Sequence, residues 1–289
     1  MTHGSLHRGA ILTLLVLDLV AKPLPGLAEA QQDSVRALIE AGRYAEAYDA
    51  TLRTAGTQRI AALAETARTL LSVSLESHDS YLQWGGLNAA RSLREKDLTD
   101  DIRRLARSDD RYARSLALEL LTRLDPQSGR EEFLAALDSP FRSVRLRALQ
   151  GLARLNDRAL AERFGAVLTG DSDPDLRAFA ARALAEIGGP EAVALLYRAV
   201  DDPIMTVQEE AVRGLVALHD GGIADVVRRR LNDHPPAAGD GIIRLAGLIP
   251  DRTLVDGLGP LLADPDPQVR ASAAAAILSI VERTTPAKR

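Results

Sequence analysis

Arg182, Arg213 and Arg244 stand 31 residues apart along the chain. A guanidinium is planar, permanently charged and forked, so it suits bidentate grip on a carboxylate. Three at a fixed interval predict a row able to hold an acidic partner segment. The plainer alternative is that each Arg pairs with a nearby Glu such as Glu186, Glu209 or Glu210, and exposed pairs of that kind are weak. Material for catalysis is scarcer. Beyond the N-terminal stretch the histidines are His78, His219 and His234, each beside an Asp. None has metal-ligand spacing and there is no His-x-x-x-His, so they read as surface or loop residues, with no metal or cofactor implied. The chain has no Cys, which excludes disulfides, thiolate metal sites, Cys nucleophiles and a lipid-anchoring Cys. Glycines occur as the turn pairs Gly188-Gly189 and Gly221-Gly222, not as phosphate-cradling loops. Glu131-Glu132 and Glu209-Glu210 read as solvated helix faces.

The interval belongs to a repeat. Ala113-Arg114, Val144-Arg145, Leu176-Arg177, Val207-Gln208 and Val269-Arg270 follow one another at steps of 31, 32, 31 and 62 residues, the last being two steps with a degenerate copy between. A period of this size marks a stacked array in which each unit buries its apolar face against its neighbours. Three residues after the motif Arg or Gln stand Ala117, Ala148, Ala180, Ala211 and Ala273. Seven after it stand Leu121, Leu152, Leu184, Leu215 and Ile277, and ten after it Leu124, Leu155, Ile187, Leu218 and Ile280. With the preceding aliphatic these offsets cover an arc of about 80°, one buried stripe of a helix of roughly four turns. The Ala column marks the closest approach of the next helix. Five residues after the motif lies a column on the opposite side, facing solvent: Glu119, Gln150, Arg182, Arg213, Arg244 and Ala275.

Asp171, Asp202 and Asp264 precede the motif residue by six, in strings such as Asp173-Pro174 and Asp264-Pro265-Asp266-Pro267. Asp caps helix N-termini and Pro is tolerated in the first turn, so each Asp is expected to open a helix. Each period then holds a loop, the motif helix, a break and a second helix. The second helices are predicted at 130–137, 158–168, 190–200, 223–231 and 253–262.

These strings, above all 171–177 running into 181–192 and again 264–270, resemble the HEAT-like repeats, in particular the short variety named after phycobilisome lyases. The resemblance covers about 98–283 and is specific for fold, hardly for function. It implies an all-α, right-handed α-solenoid of about six helical hairpins, with the motif helix, and so the Arg column, on the concave face. It also implies an Asp/Arg ladder between repeats, assigned here to Asp171/Arg177 and Asp264/Arg270, with Asp202 in the same column. The chain departs from the pattern at Gln208 and loses the motif near Gly239, where 234–241 must bend or loop. Enzymes with related repeats exist. A di-iron hydroxylase uses His-Glu pairs absent here, DNA glycosylases need a basic groove, and phycobilin lyases act inside the cell on a Cys-linked pigment.

Upstream, Leu82-Gln83 with Gly86, Ala90 and Leu93 at the repeat offsets forms a weak first repeat, with Trp84 beside it. Residues 38–47 resemble the turn of a tetratricopeptide hairpin, Gly42 ending one helix and the Tyr and Ala after it opening the packing face of the next. Residues 31–97 thus read as a helical N-terminal cap, 98–283 as the solenoid and 284–289 as a polar tail. At the start, His3, His7 and Arg8 precede an apolar run, Ala10–Ala21, then Pro23, Pro25 and Ala28-Glu29-Ala30. This predicts a signal peptide over 1–30, cleaved after Ala30, and a periplasmic or secreted protein. The run is too short for a bilayer, which needs about 20 apolar residues. The formal net charge of −4 weighs against a nucleic-acid partner. The reading is therefore a non-enzymatic, exported protein-interaction scaffold without cofactor. An anionic small ligand or glycan in the concave face is the alternative, and a lyase-type enzyme a more distant one.

Overall fold

The computed structural model describes residues 28–93, 98–233 and 241–285, and the described residues are helices joined by short loops, with no strand among them. The predicted signal region up to residue 27 and most of the stretch expected to bend at 234–241 lie outside the described residues. Two compact units divide between Ser128 and Gly129, within the stretch read as solenoid.

In the second unit the motif helices are Arg142–Leu155, Pro174–Ile187, Met205–Ala217, Gly241–Ala246 and Pro267–Thr284. The helices between them are Arg130–Ala136, Ala161–Gly170, Pro190–Ala199, Gly222–Asp233 and Leu254–Leu258. Successive motif helices pack on one another, as do Ala161–Gly170 with Pro190–Ala199 and Gly222–Asp233 with Leu254–Leu258, giving two layers. This is an all-α repeat solenoid. Val144, Leu176 and Val207 before the motif are buried, and Ala148, Ala180, Ala211 and Ala273, with Leu152, Leu184 and Leu215, are fully buried, whereas Ile277 in the last repeat is half-buried. Each such Leu contributes about 1.5–3 kcal/mol. Farther along the helix the stripe loosens, for Leu155 and Leu218 are only half-buried whereas Ile187 and Ile280 are buried. Leu155 ends its helix and Leu218 lies just past the end of Met205–Ala217.

The first unit has the same construction. Helices Ser80–Ala90 and Arg111–Leu124 pack together, as do Arg59–Glu76 and Thr99–Leu105. The copy at Gln83 is a repeat in substance, with Gly86 and Ala90 buried. Ahead of it Ala28–Glu40 and Tyr44–Ala55 form the expected hairpin, turning at Gly42 with φ +70. Its packing face differs from expectation: Ala47 is buried with Val35 and Ile39, while Tyr44 and Ala45 are exposed.

Helix starts and stops follow local chemistry. Asp79, Asp110, Asp173 and Asp266 are the N-caps, each accepting a backbone N–H two residues on. Pro174, Pro190 and Pro267 sit in first turns, where the missing N–H costs nothing. The capping residue is thus not the Asp six before the motif, as the sequence suggested, but in two repeats the one two positions later. Eleven after the motif, Asn156, Gly188 and His219 all take positive φ. At His219 the backbone closes a Schellman turn, His219 N donating to Val216 O and Asp220 N to Leu215 O, both at 3.0 Å.

Candidate functional site

The six residues standing six before the motif share one task. Ser77, Ser108, Ser139, Asp171, Asp202 and Asp264 each use a side-chain oxygen to accept the backbone N–H two residues on, at 2.8–3.3 Å. From the other end the motif side chain reaches back to the carbonyl of that same residue. Gln83 donates to Ser77 O at 2.5 Å, Arg145 to Ser139 O at 3.0 Å and Arg177 to Asp171 O at 2.8 Å. Gln208 donates to Asp202 O at 2.6 Å and Arg270 to Asp264 O at 2.7 Å. The loop is clamped from both sides, and Gln does this as well as Arg because the bond needs a donor rather than a charge.

Charge is needed for the ladder. Arg145 forks onto Asp171 at 2.7 and 2.9 Å, and Arg177 onto Asp202 at 2.8 and 2.9 Å. Asp171 and Arg177 are therefore adjacent members of different rungs, each rung joining one repeat to the next. Arg145 belongs to the ladder although the sequence assignment omitted it; its place in the period was the available signal. Burial pushes the Asp202 carboxyl up, but the Arg177 guanidinium and the Ile204 N–H outweigh it and hold it below the usual range. Hydrogen bonding to Asp202 and Asp171 raises Arg177 and Arg145 respectively. Gln208 carries no charge to continue the ladder, and Arg270 turns to Asp264 O and Pro265 O within its own loop.

On the other side of the motif helices the arginine row assembles. Arg182 Nε lies 3.8 Å from Glu210 Oε2, and Arg213 Nη1 lies 3.8 Å from Glu210 Oε1. Arg213 Nη2 donates to Glu209 Oε2 at 3.3 Å, and Arg244 Nε approaches Glu209 Oε1 to 2.5 Å, off the hydrogen-bond direction. Each neighbouring pair of guanidiniums straddles one carboxylate. The Arg side chains are 57%, 50% and 68% exposed, those of Glu209 and Glu210 only 10% and 24%. Cations thus lie outward over anions. Arg182 also stacks on Phe179, 5.5 Å from the ring centroid. Glu209 and Glu132 are buried rather than solvated, since they occupy the side of their helix turned to a neighbour. Of the three glutamates expected as partners for the row, Glu209 and Glu210 take that part, and Glu210 is the one beside Arg182.

Elsewhere the described residues offer little chemistry. His78 is exposed, His219 serves the turn above, and His234 lies outside the described residues. Among the described residues no group of three or more His, Asp and Glu is placed to hold a metal ion, and no helix is long and apolar enough to cross a membrane. A depression of ≈ 290 Å³ in the first unit is lined by Ile39, Tyr44, Leu70 and Leu82. Glu40 and Glu76 also line it, and both are paired with Arg36.

Residues 130–216 match the family model for HEAT repeats. This stretch is built of HEAT repeats. Among solved structures, the Escherichia coli protein YibA is similar at 18% identity and a TM-score of 0.50, over 89% of this chain and 98% of its own. The complex of CpcE and CpcF of phycocyanin lyase from Nostoc sp. gives 17% identity and a TM-score of 0.45, over 73% and 93%. Human deoxyhypusine hydroxylase gives 16% and 0.34, over 89% and 98%. At such identities the likeness concerns fold alone. No curated protein matches the chain.

Proposed function

We propose that this HEAT-repeat protein is an exported interaction scaffold that holds an acidic segment of a partner protein on the Arg182/Arg213/Arg244 face. The supporting observation is the layering of charge: three half-exposed guanidiniums on successive motif helices, held from below by Glu209 and Glu210. Each guanidinium has five donors and uses few of them on these carboxylates, leaving donors turned outward. Arg–Glu contacts of 3.8 Å at an exposed surface are worth little, so a partner carboxylate in bidentate geometry competes well. Export rests on the basic start, the apolar run at 10–21 and Ala28-Glu29-Ala30.

The test is capture of partners from the native envelope by the tagged mature chain and by an Arg182→Ala/Arg213→Ala/Arg244→Ala variant, at low and moderate salt. The expected outcome is a partner lost from the variant and released by salt. Unchanged capture by a folded variant overturns the assignment of the binding face. N-terminal sequencing of the envelope protein should begin at Gln31; a chain starting at Met1 or Thr2 in the cytoplasm overturns export.

A further inference from the structure

We infer that a second copy of this chain docks on the outward face of the helix Pro267–Thr284, the two copies of that helix running antiparallel about a twofold axis. Ala271, Ala274, Leu278 and Val281 stand three, four and three residues apart, so at 100° per residue they form one stripe about 80° wide. The stripe lies about 150° round the helix from Val269, Ala273, Ala276 and Ile280, the buried side that packs on the preceding repeat. Leu278 is 68% and Val281 44% exposed; Ala271 is exposed and Ala274 half-buried. Arg270 and Glu282, both exposed, flank the stripe. An apolar centre with a charged rim is the anatomy of an interface. This surface is separate from the role proposed for the arginine row.

The earlier repeats show what such a face receives. Ala271, Ala274 and Leu278 stand one, four and eight residues after the motif Arg270. Four on in the preceding repeats, Leu149, Ala181, Val212 and Ile243 are buried. Eight on, Ala153, Ala185 and Val216 are half-buried and Gly247 is buried. The cover is the next motif helix: a methyl built on Gly214 would stand 3.0 Å from the Ala185 Cβ, and one on Gly247 3.0 Å from the Ala276 Cα. In Pro267–Thr284 the same offsets are apolar, yet Ala271 and Leu278 are open to solvent, whereas a repeat that faces water alone is polar on its outer side. The occupant is therefore a helix.

Side-chain size selects which helix. The stripe is small in its first half, Ala271 and Ala274, and large in its second, Leu278 and Val281. Antiparallel pairing about an axis near Ala276 sets Ala271 opposite the second copy's Val281, and Ala274 opposite its Leu278, because both pairs are centred on that position. Every layer then joins one large and one small side chain, which fills a helix interface evenly. A parallel pair would crowd Leu278 on Leu278 at one end and leave a gap between alanines at the other. The antiparallel contact is isologous and closes at two copies, whereas a head-to-tail contact goes on growing. The helix has 18 residues, a face about 27 Å long and 10–12 Å wide. That falls short of the roughly 800 Å² per partner of a standard interface, so the dimer is weak and concentration-dependent.

Sedimentation velocity of the mature chain, over about a hundred-fold range of concentration reaching the high micromolar, reads the mass. The expected result is a rise from one chain to two and no growth beyond. Leu278→Glu sets a carboxylate against the second copy's Ala274 and should raise the dissociation constant at least about a hundred-fold. Its far-UV spectrum should not change, because Leu278 is exposed within one chain. Disulfide trapping reads the register, since the chain has no Cys of its own. Mixed Ala271→Cys and Val281→Cys variants should link to each other rather than to themselves, because in the antiparallel pair like positions stand about 15 Å apart along the helix. Arg182→Ala/Arg213→Ala/Arg244→Ala should dimerise as wild type does, so failure of the arginine face and failure of the dimer are distinct results. A chain monomeric across the range, growth past two copies, or a Leu278→Glu dimer of wild-type affinity overturns the inference. So does an Ala271→Cys variant that links mainly to itself, or a dimer lost with the arginine row.

Discussion

Asp202→Asn should cost about 3 kcal/mol, although it removes only a charge from a loop. The Arg177 and Asp202 side chains are 11% and 8% exposed and are joined by two hydrogen bonds of 2.8 and 2.9 Å. Removing one partner of such a pair strands the other charge, at about 3–5 kcal/mol. The lower end applies because Arg177 keeps its bond to Asp171 O and the Asn oxygen can still accept from Ile204 N. Asp202→Ala loses that acceptor too and should cost about 1 kcal/mol more. Arg142→Ala is the control: its pairs with Asp173 and Asp175 lie at a half-exposed side chain, so its loss should stay below about 1 kcal/mol. Urea unfolding followed by circular dichroism gives the size. Amide exchange gives the location, expected across 174–217 because repeats touch only neighbours. The sign of the pH dependence follows from the lowered Asp202 pKa: its contribution is present above the unfolded-state value of about 3.9 and fades as pH falls through the folded one. Wild type and Asp202→Asn should therefore converge in stability below about pH 4. A cost under about 0.5 kcal/mol at neutral pH, or curves that stay parallel into acid, would refute the buried-rung argument.

Three further outcomes are expected. His219→Gly should raise stability by about 0.5–1 kcal/mol in thermal melts, because a left-handed turn position strains an L-residue; a loss would show that the imidazole does something beyond the turn. Gly151→Ala should cost about 1–3 kcal/mol despite better helix propensity, since the added methyl lands on the fully buried Phe133 ring, and Phe133→Leu in the same chain should recover much of the loss. Leu184→Asp buries an unpaired carboxylate at several kcal/mol; amide exchange should rise first over 171–232, whereas equal loss of protection in 28–93 would reveal one cooperative core.

The stacked architecture was legible because burial writes a period. Ala117, Ala148, Ala180, Ala211 and Ala273 recur at nearly fixed steps and all five are fully buried. Burial of carboxylates was not legible. Glu209 and Glu210 are adjacent and chemically alike, yet 10% and 24% exposed, since a turn of 100° places one against the neighbouring helix. The caps were misread for a related reason: Asp171 and Asp173 both precede Pro174, and sequence does not say which carboxylate meets the helix N–H groups and which braces the loop. His219 hid because Asn, Gly and His share no property visible in composition; only the offset of eleven from the motif unites Asn156, Gly188 and His219.

The column six before the motif explains why the chain is braced unevenly. Ser and Asp both clamp the loop, since a neutral hydroxyl accepts a backbone N–H as a carboxylate does, Ser at 3.0–3.3 Å and Asp at 2.8–2.9 Å. A carboxylate has a second oxygen and a charge, so it can also take both arms of the guanidinium of the preceding repeat, as Asp171 takes Arg145 and Asp202 takes Arg177. The motif side chain makes the complementary choice: Arg145 and Arg177 clamp and bridge, while Gln208 only clamps. The rung between Arg177 and Asp202 ties Pro174–Ile187 to the loop that opens Met205–Ala217, the two helices whose far sides carry Arg182, Glu210 and Arg213. Holding these helices in one register holds those guanidiniums at one separation, which in the binding role proposed above would lower the ordering cost. The sharpest part of the arginine row therefore lies against the ladder's last described rung, and Arg244 extends the row beyond it through Glu209.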